Sequence, residues 1–251
     1  MAEWKLFWSD EFDGEVGTPI SDARWMREVG SSGADHHELQ YYTDRPENAF
    51  IDGKGNLAIV ACEGNPAKYE CHYGACRYTS ARLTTRERML FTHGRVGERI
   101  KMPYGQGIWP AFWMVGSRHD MGDWPVSGEI DIMEHIGKEP RTIHGGVHGP
   151  GYYGSGGLGK IYHSERPFAD DFHVFGIDWE VDAIHWTVDG NRYHMLTAEN
   201  LRGKPWAFNH SFYINLNVAV GGNWAGNPDK SSVFPQTMLV DYVRVYQADS
   251  G

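Results

Sequence analysis

The sequence has few basic residues and no long apolar run, and each shortage argues against a class of function. Lysine and arginine number 23 against 33 aspartates and glutamates, a formal net charge of −10, and they form no basic cluster. Nucleic-acid binding depends on neutralised phosphates, so this charge argues against it, and it also disfavours an anionic membrane surface. No apolar run approaches the roughly 20 residues of a membrane-spanning helix. We therefore expect neither nucleic acid nor membrane as a partner.

Cysteine is scarce, and a signal-peptide pattern is missing. The N-terminal stretch MAEWKLFWSDEF contains no apolar signal-peptide segment. Of the three cysteines, Cys71 and Cys76 lie close together in a polar loop, where a small disulfide and two free thiols are both compatible with the sequence. The third is Cys62, and an odd count leaves at least one cysteine unpaired within the chain.

Aromatic residues and glycine are abundant. The 251 residues include 10 Trp, 13 Tyr, 11 Phe and 31 Gly. Period-two alternation recurs, as in FYINLNVAV (212–220), where the apolar side chains take one face and Asn217 takes the other. Turn signals such as Asp189-Gly190 separate the short strands, and the one helical signal is a short helix at 197–202 with Thr197 as N-cap. The pattern predicts an all-β sandwich or barrel, in one domain spanning residues 1–251.

One apolar strand, GEIDIMEH at 128–135, contains three acids. Side chains alternate between faces along a strand, so Glu129 and Asp131 share a face and Glu134 should point to the other. A β-bulge near Ile132-Met133 would insert one residue and return Glu134 to the face of the other two. Because buried unpaired charge is costly, three acids in a core-like strand indicate a function.

The bulge also predicts a distance. Glu129 and Glu134 would lie about four strand steps apart, roughly 13 Å between Cα atoms at about 3.3 Å per residue. Two glutamates leaning towards each other would then leave their carboxyl groups roughly 5 Å apart, the separation of retaining glycosidases. One would attack the anomeric carbon, and the other would protonate the leaving oxygen and later activate water. Asp131 would hydrogen-bond the nucleophile, and one carboxyl of so close a pair should have a raised pKa.

Several motifs together resemble glycoside hydrolase family 16. E-x-D-x-x-E in GEIDIMEH, preceded by GIWPAFWM, resembles the catalytic region of that family. GGVHGPGYYGSGG, ELQYYT, YTSARLTT, FHVFGIDW, GGNWAG and DYVRVYQ resemble its laminarinase branch, the endo-1,3-β-glucanases. The resemblance implies a β-jelly-roll sandwich of two antiparallel sheets with a concave substrate cleft. It also implies that Glu129 is the nucleophile, Glu134 the acid/base and Asp131 the assisting acid.

The resemblance extends to substrate contacts. The candidate substrate-binding residues are Asn48, Arg82, Trp109, Trp113, Trp124, His148, Asn217 and Trp224. Trp124 precedes the acids in a loop, Trp224 is bounded by glycines, and Trp109 is equally compatible with the core. His148 matches a cleft-lining position of the family, with His144 as its companion. His37 stands where the laminarinase branch often has Asn.

Metal and nucleotide motifs give a mixed result. HGGVH lacks the glutamate of a zinc helix, and GSGGLGK is followed by Ile161 where a P-loop needs Ser or Thr. The resemblance implies one structural calcium ion at Glu11, Gly53 and Asp241, where two carbonyls, one carboxylate and waters suit a hard cation. No organic cofactor is expected.

The sequence therefore predicts a monomeric endo-1,3-β-glucanase that hydrolyses laminarin-type glucan with retention, by double displacement. Within the family that the sequence resembles, the extra residue Met133 implies a laminarinase or agarase and argues against lichenases and xyloglucan-acting enzymes as the primary identity, while side activity on mixed-linkage β-1,3-1,4-glucan stays open. The family implies an extracellular or periplasmic location. Two alternatives are a β-glucan-binding lectin, which would typically have lost catalytic acids, and a hydrolase of agar, carrageenan or mixed-linkage glucan.

Overall fold

Short alternating segments form strands along the whole chain. The computed structural model describes residues 3–31, 33–117 and 122–248. Its strands are β1 (Trp4–Asp10), β2 (Met26–Glu28), β3 (Gln40–Tyr42), β4 (Ala49–Ile51), β5 (Leu57–Glu63), β6 (Glu70–Cys71), β7 (Gly74–Ala75), β8 (Tyr78–Ser80), β9 (Arg82–Thr84), β10 (Gly94–Lys101), β11 (Ile108–Gly116), β12 (Glu129–Glu134), β13 (Thr142–His148), β14 (Leu158–His163), β15 (Phe172–Trp179), β16 (Ala183–Val188), β17 (Asn191–Thr197), β18 (Phe212–Val220) and β19 (Gln236–Ala248). Three 3₁₀ helices accompany them, at Ala34–His36, Gly154–Gly156 and Ala198–Leu201.

Two large sheets pack face to face. The ten-stranded sheet has the order β17-β16-β15-β10-β19-β5-β8-β3, with β1 paired to β19 and β4 paired to β5. The seven-stranded sheet has the order β14-β13-β12-β11-β18-β9-β2, and β6 and β7 form a separate pair. Among the described strands every pairing is antiparallel except that of β3 with β8. The β-jelly-roll sandwich predicted from the sequence is confirmed.

The inward faces of the two sheets share one apolar core. On β18 the residues Phe212, Ile214, Leu216, Val218 and Val220 are completely buried, and each faces the ten-stranded sheet. Burying an aliphatic or aromatic side chain of this size contributes about 1.5–3 kcal/mol relative to leaving it exposed. The intervening polar side chains of β18 therefore face the other way, as the alternation predicts.

Smaller sequence features also match the structure. Thr197 is the N-cap of the helix Ala198–Leu201, and Asn200 completes a capping box with it. Asp189 and Gly190, with φ of +51° and +77°, form the turn between β16 and β17. Cys71 and Cys76 are joined in a disulfide beside the β6–β7 pair, which decides between the two states that the sequence left open. No helix in the described part of the chain is long and apolar enough to cross a membrane.

Candidate active site

Strand β12 contains the bulge that the sequence predicts. Phe112 and Trp113, which are consecutive on β11, pair with Met133 and with Asp131. The extra residue on β12 is therefore Ile132, and not Met133 as the sequence predicts, although the bulge lies at Ile132-Met133 as expected. On the other side of β12 the register with β13 also shifts between Asp131 and Glu134. A bulge reverses the facing of the residues after it, so Glu134 returns to the face of Glu129 and Asp131. The predicted alignment of the three acids is confirmed.

The register measures the separation of the two glutamates along the strand. Val115 lies opposite Glu129 and Ala111 lies opposite Glu134, so four strand steps separate them. At about 3.3 Å per residue this is roughly 13 Å between Cα atoms, the value predicted from the sequence. Ala111 also lies opposite Asn217 on β18, which places Asn217 on the same outer face as the acids.

The three carboxyl groups are crowded together with one imidazole. His148 Nε2 lies 3.3 Å from Asp131 Oδ2 and 3.9 Å from Glu129 Oε1. Burial raises the pKa of Asp131 to about 7. Burial, with the charge of Asp131, raises the pKa of Glu129 to about 8. Burial, with the charges of the other two acids, raises the pKa of Glu134 well above its ordinary value. Crowding and burial therefore oppose ionisation of all three acids together at neutral pH.

Two tryptophans of β11 hydrogen-bond polar groups of the outer face. Trp109 Nε1 donates to Glu134 Oε1 at 3.1 Å. Trp113 Nε1 donates to Asn217 Oδ1 at 2.8 Å. The guanidinium of Arg82 lies 4.5 Å from the centroid of the Trp113 ring. The structure thus brings four predicted residues, Trp109, Trp113, Asn217 and Arg82, to the face that bears the acids.

Aromatic side chains stand at both ends of the row of acids. At the Glu134 end, the ring of Trp224 is 5.2 Å from that of Trp109 and 4.8 Å from that of His144. At the Glu129 end, Trp124 hydrogen-bonds Glu129 and remains 42% exposed. Exposed rings at such positions suit stacking on sugar rings. His37 is exposed, and its ring meets that of His72 edge-on with centroids 6.2 Å apart.

Asn48 does not belong to the site. It is 1% exposed and directly precedes β4, in the ten-stranded sheet. Its Oδ1 accepts from Thr43 Oγ1 at 2.7 Å, and its Nδ2 donates to the carbonyl of Val60 at 2.9 Å and to Thr79 Oγ1 at 3.3 Å. No surface remains for a sugar hydroxyl, so the predicted substrate contact is corrected to a scaffold role.

Three residues near the site were not predicted. Tyr153, 51% exposed, meets Trp124 edge-on at 5.4 Å. Tyr42 hydrogen-bonds Asn217, and burial raises its pKa well above the ordinary value. Trp186, from the ten-stranded sheet, donates to the main-chain carbonyl of Asp131 at 2.8 Å. Tyr42 belongs to the motif ELQYYT, which resembles the laminarinase branch, whereas no pattern in the sequence around Trp186 indicates a contact with the acids.

The predicted calcium ligands lie on the other sheet. Asp241 lies on β19 beside the turn between β4 and β5 that contains Gly53, and Glu11 follows β1, which pairs with the same part of β19. Both oxygens of the Glu11 carboxylate accept from Arg244, at 3.0 and 2.7 Å, so a cation at this place would meet the carbonyl of Glu11 and not its carboxylate. Asp241 Oδ2 accepts from Arg99 at 2.6 Å, and its Oδ1 makes no hydrogen bond to the residues that the structure describes. One carboxylate oxygen and neighbouring carbonyls fit a hard cation.

A second cluster of charges differs in character. An open groove of about 380 Å³ on the outer face of the ten-stranded sheet is lined by Arg95, Asp178, Arg192 and aromatic side chains. Both oxygens of Asp178 accept from Arg95, at 2.6 and 3.1 Å, and Oδ2 also accepts from Arg192 at 2.8 Å. Two arginines thus neutralise Asp178, which makes this carboxylate a poor proton donor.

A β-sandwich with a row of carboxylic acids beside one exposed and several half-buried tryptophans suits a carbohydrate-acting enzyme, and comparison with known proteins gives its family. Residues 36–244 match the family described as glycosyl hydrolases family 16. The chain belongs to this family, and it is therefore a glycoside hydrolase.

Individual relatives are similar over nearly the whole chain. The β-glucanase of Rhodothermus marinus is 41% identical over 254 residues, covering 97% of this chain and 85% of that protein. The catalytic domain of an endo-1,3-β-glucanase (laminarinase) from Thermotoga petrophila has a TM-score of 0.91 and 43% identity, with 100% of both chains covered. The endo-β-1,3-glucanase of Pyrococcus furiosus has a TM-score of 0.91 and 45% identity, covering 100% of this chain and 97% of that one.

Proposed function

We propose that the protein is an endo-acting 1,3-β-glucanase that hydrolyses laminarin-type glucan with retention of configuration. The observation that carries this proposal is the bulge of β12, which aligns three acids on one face with Glu129 and Glu134 four strand steps apart. The names of the similar laminarinases support the substrate. Side activity on mixed-linkage β-1,3-1,4-glucan is part of the proposal.

Glu129 is the proposed nucleophile. His148 and Arg82, with the hydrogen bond from Trp124, act to lower the pKa of Glu129 against the effects of burial and of Asp131. These groups favour the carboxylate that attacks the anomeric carbon. In the attack the bond to the leaving oxygen breaks and a glycosyl ester forms on Glu129. Asp131, whose Oδ2 lies 3.3 Å from His148 Nε2, assists by hydrogen-bonding the nucleophile.

Glu134 is the proposed acid and base. Its pKa is raised well above the ordinary value, first by burial, so it retains the proton that the leaving oxygen needs. Trp109 occupies its Oε1, which leaves Oε2 to face the substrate. After the first step Glu134 is a carboxylate, and it takes a proton from the water that cleaves the ester.

The aromatic rings at the two ends of the row are the proposed platforms for glucose units. Trp124, with Tyr153 beside it, would contact the sugar at the Glu129 end. Trp224 would contact a sugar beyond Glu134. The similar endo-1,3-β-glucanases support endo action.

Proton NMR of a linear β-1,3-gluco-oligosaccharide, followed from the first minutes after mixing, tests this proposal. Retention predicts that the β anomer of the product appears first and then mutarotates. First appearance of the α anomer would contradict the assignment of Glu129 as nucleophile. Absence of product would contradict the substrate, and agar, mixed-linkage glucan and simple binding would then be tested. Glu129→Gln is the control, and it should release no sugar.

A structural calcium ion is a second proposal. The carbonyls of Glu11 and Gly53 with Asp241 Oδ1 would hold it, and it would join the start of the chain to β19 and to the β4–β5 turn. Differential scanning calorimetry should show a higher Tm in about 1 mM calcium than in chelator, because an ion that binds only the folded state stabilises that state by mass action. Asp241→Asn should reduce that difference. Equal Tm values in calcium and chelator would contradict the proposal.

A monomer that acts outside the cytoplasm is the third proposal. The Cys71–Cys76 disulfide supports an oxidising compartment, and a polymeric substrate does not enter cells. Light scattering should give a mass near 28.4 kDa. A dimeric mass, or three titratable thiols in protein from its native source, would contradict this proposal.

A further inference from the structure

The bulge of β12 is held from behind by a residue of the opposite sheet. Trp186 lies on β16, is completely buried, and points across the core. Its Nε1 donates to the carbonyl of Asp131 at 2.8 Å. Asp131 is the last residue of β12 before the register with β13 shifts. A bulge locally disrupts the ladder of hydrogen bonds, so a donor from elsewhere stabilises the main chain where the ladder is weakest.

The space for this indole is made by a glycine opposite the bulge. Gly145 lies on β13 between the partners of Asp131 and Glu134, and it faces the core. A Cβ on Gly145 would lie 2.7 Å from Trp186 Cδ1 and would also collide with the hydroxyl of Tyr193. Any larger residue at Gly145 would therefore displace the indole from the carbonyl that it binds.

The indole is also fixed from its own sheet. His194, on the neighbouring strand β17, stacks on Trp186 with ring centroids 4.9 Å apart and planes at 30°. The donor thus has little freedom, and its position is transmitted to the main chain at Asp131. A shift of Asp131 relative to Glu134 changes the separation of the proposed nucleophile and acid.

We propose that Trp186 is a positioning residue for catalysis: through the carbonyl of Asp131 it fixes the bulge that brings Glu134 to the face of Glu129. This inference rests on the proposed function, because the alignment that it explains is that of the proposed retaining pair. Trp186 contacts neither the side chains of the acids nor the face that would receive the glucan. Its effect should therefore fall on kcat and leave KM largely unchanged.

The chain offers a matched control in Trp179. This tryptophan is 1% exposed, lies on the neighbouring strand β15, and donates its Nε1 to a main-chain carbonyl, that of Phe208, at 2.9 Å. Trp179→Phe and Trp186→Phe thus remove the same kind of buried hydrogen bond from the same sheet. Only the second removes it from β12.

The test compares kcat and KM of the two variants on laminarin with those of the unaltered protein. Trp186→Phe should lower kcat by about 10- to 100-fold, since a misplacement of about 1 Å costs roughly 10²-fold. Trp179→Phe should keep the kcat of the unaltered protein even where its Tm falls equally. The pH profile of kcat/KM should also shift in Trp186→Phe alone, because moving Glu134 changes its repulsion with the other two acids.

Equal kcat values in the two variants, at comparable Tm, would overturn the inference. If Trp186→Phe does not fold, 3-benzothienylalanine at position 186 keeps the bicyclic ring and removes only the N–H, and the same loss of kcat is expected. Full activity of that variant would overturn the inference as well. Inactivity of the unaltered protein on laminarin would instead contradict the proposed function, and the two failures are thus distinguishable.

Discussion

Asp131 in the cleft and Asp178 on the outer face of the ten-stranded sheet are equally buried, each 4% exposed, yet they have opposite acid strengths. Burial raises the pKa of Asp131 to about 7. Burial also acts to raise the pKa of Asp178, but hydrogen bonds from Arg95 and Arg192 outweigh it and the pKa falls below the ordinary value. Two arginine partners are therefore enough to reverse the effect of burial on the pKa of Asp178.

A third buried acid, Glu98, shows that burial alone does not make an acid catalytic. Glu98, on β10, is completely buried in the core, and neither of its carboxyl oxygens has a hydrogen-bond partner among the residues described. Burial alone raises its pKa well above the ordinary value. Glu98 resembles the three acids of β12 in having a raised pKa, but no substrate can reach it. A catalytic acid in this fold needs access to the substrate as well as a raised pKa.

The largest expected effect is on turnover. Glu134→Gln removes the proton donor and should lower kcat by about 10² to 10⁴, the usual contribution of general acid–base catalysis. Its thermal stability should be equal or higher, since the amide carries no charge into the crowded site. Activity assays on laminarin with calorimetry measure both quantities. Asp178→Asn, its counterpart on the other sheet, should keep the kcat of the unaltered protein, and near-normal turnover in Glu134→Gln would contradict the assigned role.

The next largest effect is on folding stability, where substitution of Asp178 in the ten-stranded sheet should cost more than substitution of Asp131 in the seven-stranded sheet. Asp178→Asn leaves Arg95 and Arg192 without their shared carboxylate and should lower the free energy of unfolding by about 1–2 kcal/mol, because both arginines are partly solvated. Asp131→Asn should leave that free energy unchanged or raise it, while it lowers kcat. Urea denaturation with a constant m-value measures both, and a larger loss of stability in Asp131→Asn would contradict the comparison.

The pH dependence of stability should have opposite signs for the two kinds of acid. Glu129, whose pKa rises from 4.5 to about 8, binds its proton more tightly in the folded state, so its contribution is lost as pH rises between these values. Asp178, whose pKa is lowered from 3.8, contributes stability above that value and loses it as pH falls. Urea denaturation from pH 3 to 9 measures the free energy of unfolding. Glu129→Gln should flatten its decline between pH 4.5 and about 8, and Asp178→Asn should flatten its decline below pH 3.8. The reverse pairing would contradict this prediction.

The smallest effect is expected from Glu98 in acid. Below about pH 4.5 this carboxyl is protonated in both the folded and the unfolded chain, so Glu98→Gln should change the free energy of unfolding there by about 0.5 kcal/mol or less, as for a nearly neutral exchange. Above that pH only the unfolded chain ionises, because burial raises the folded-state pKa well above the ordinary value, so the variant should become progressively the more stable protein as pH rises. Urea denaturation measures both, and a large loss of stability in acid would indicate a hydrogen bond to this carboxyl.

The alternation of side chains between the two faces of a strand explains which site residues could be predicted from the sequence. Strand β18 has nine alternating residues, which is enough to assign Asn217 to a face from the sequence alone. The spacing E-x-D-x-x-E likewise requires a bulge if all three acids are to share one face, and the register confirms that bulge. Asn48 precedes a strand of three residues, where no alternation exists to count, and its predicted sugar contact failed for that reason.

Contacts between the sheets could not be predicted in this way. Trp186 and Asp131 are 55 residues apart, and only the packing of β16 against β12 brings them together. The two states of Cys71 and Cys76 were equally compatible with the sequence, because their pairing depends on the turn between β6 and β7. Local periodicity thus gave the facing of side chains, while sheet packing decided their partners.

The pairing of β1 with β19 has a practical consequence for handling the protein. Trp4 lies directly opposite Ala248, so the two ends of the described chain are neighbours in one ladder, with Cα atoms about 4.5–5.5 Å apart. Both ends belong to the sheet that lies behind the cleft. A tag or surface anchor attached at either end would leave the cleft pointing into solution. A linker of a few residues would close the chain into a ring, and new ends could then be opened in a surface turn such as 189–190.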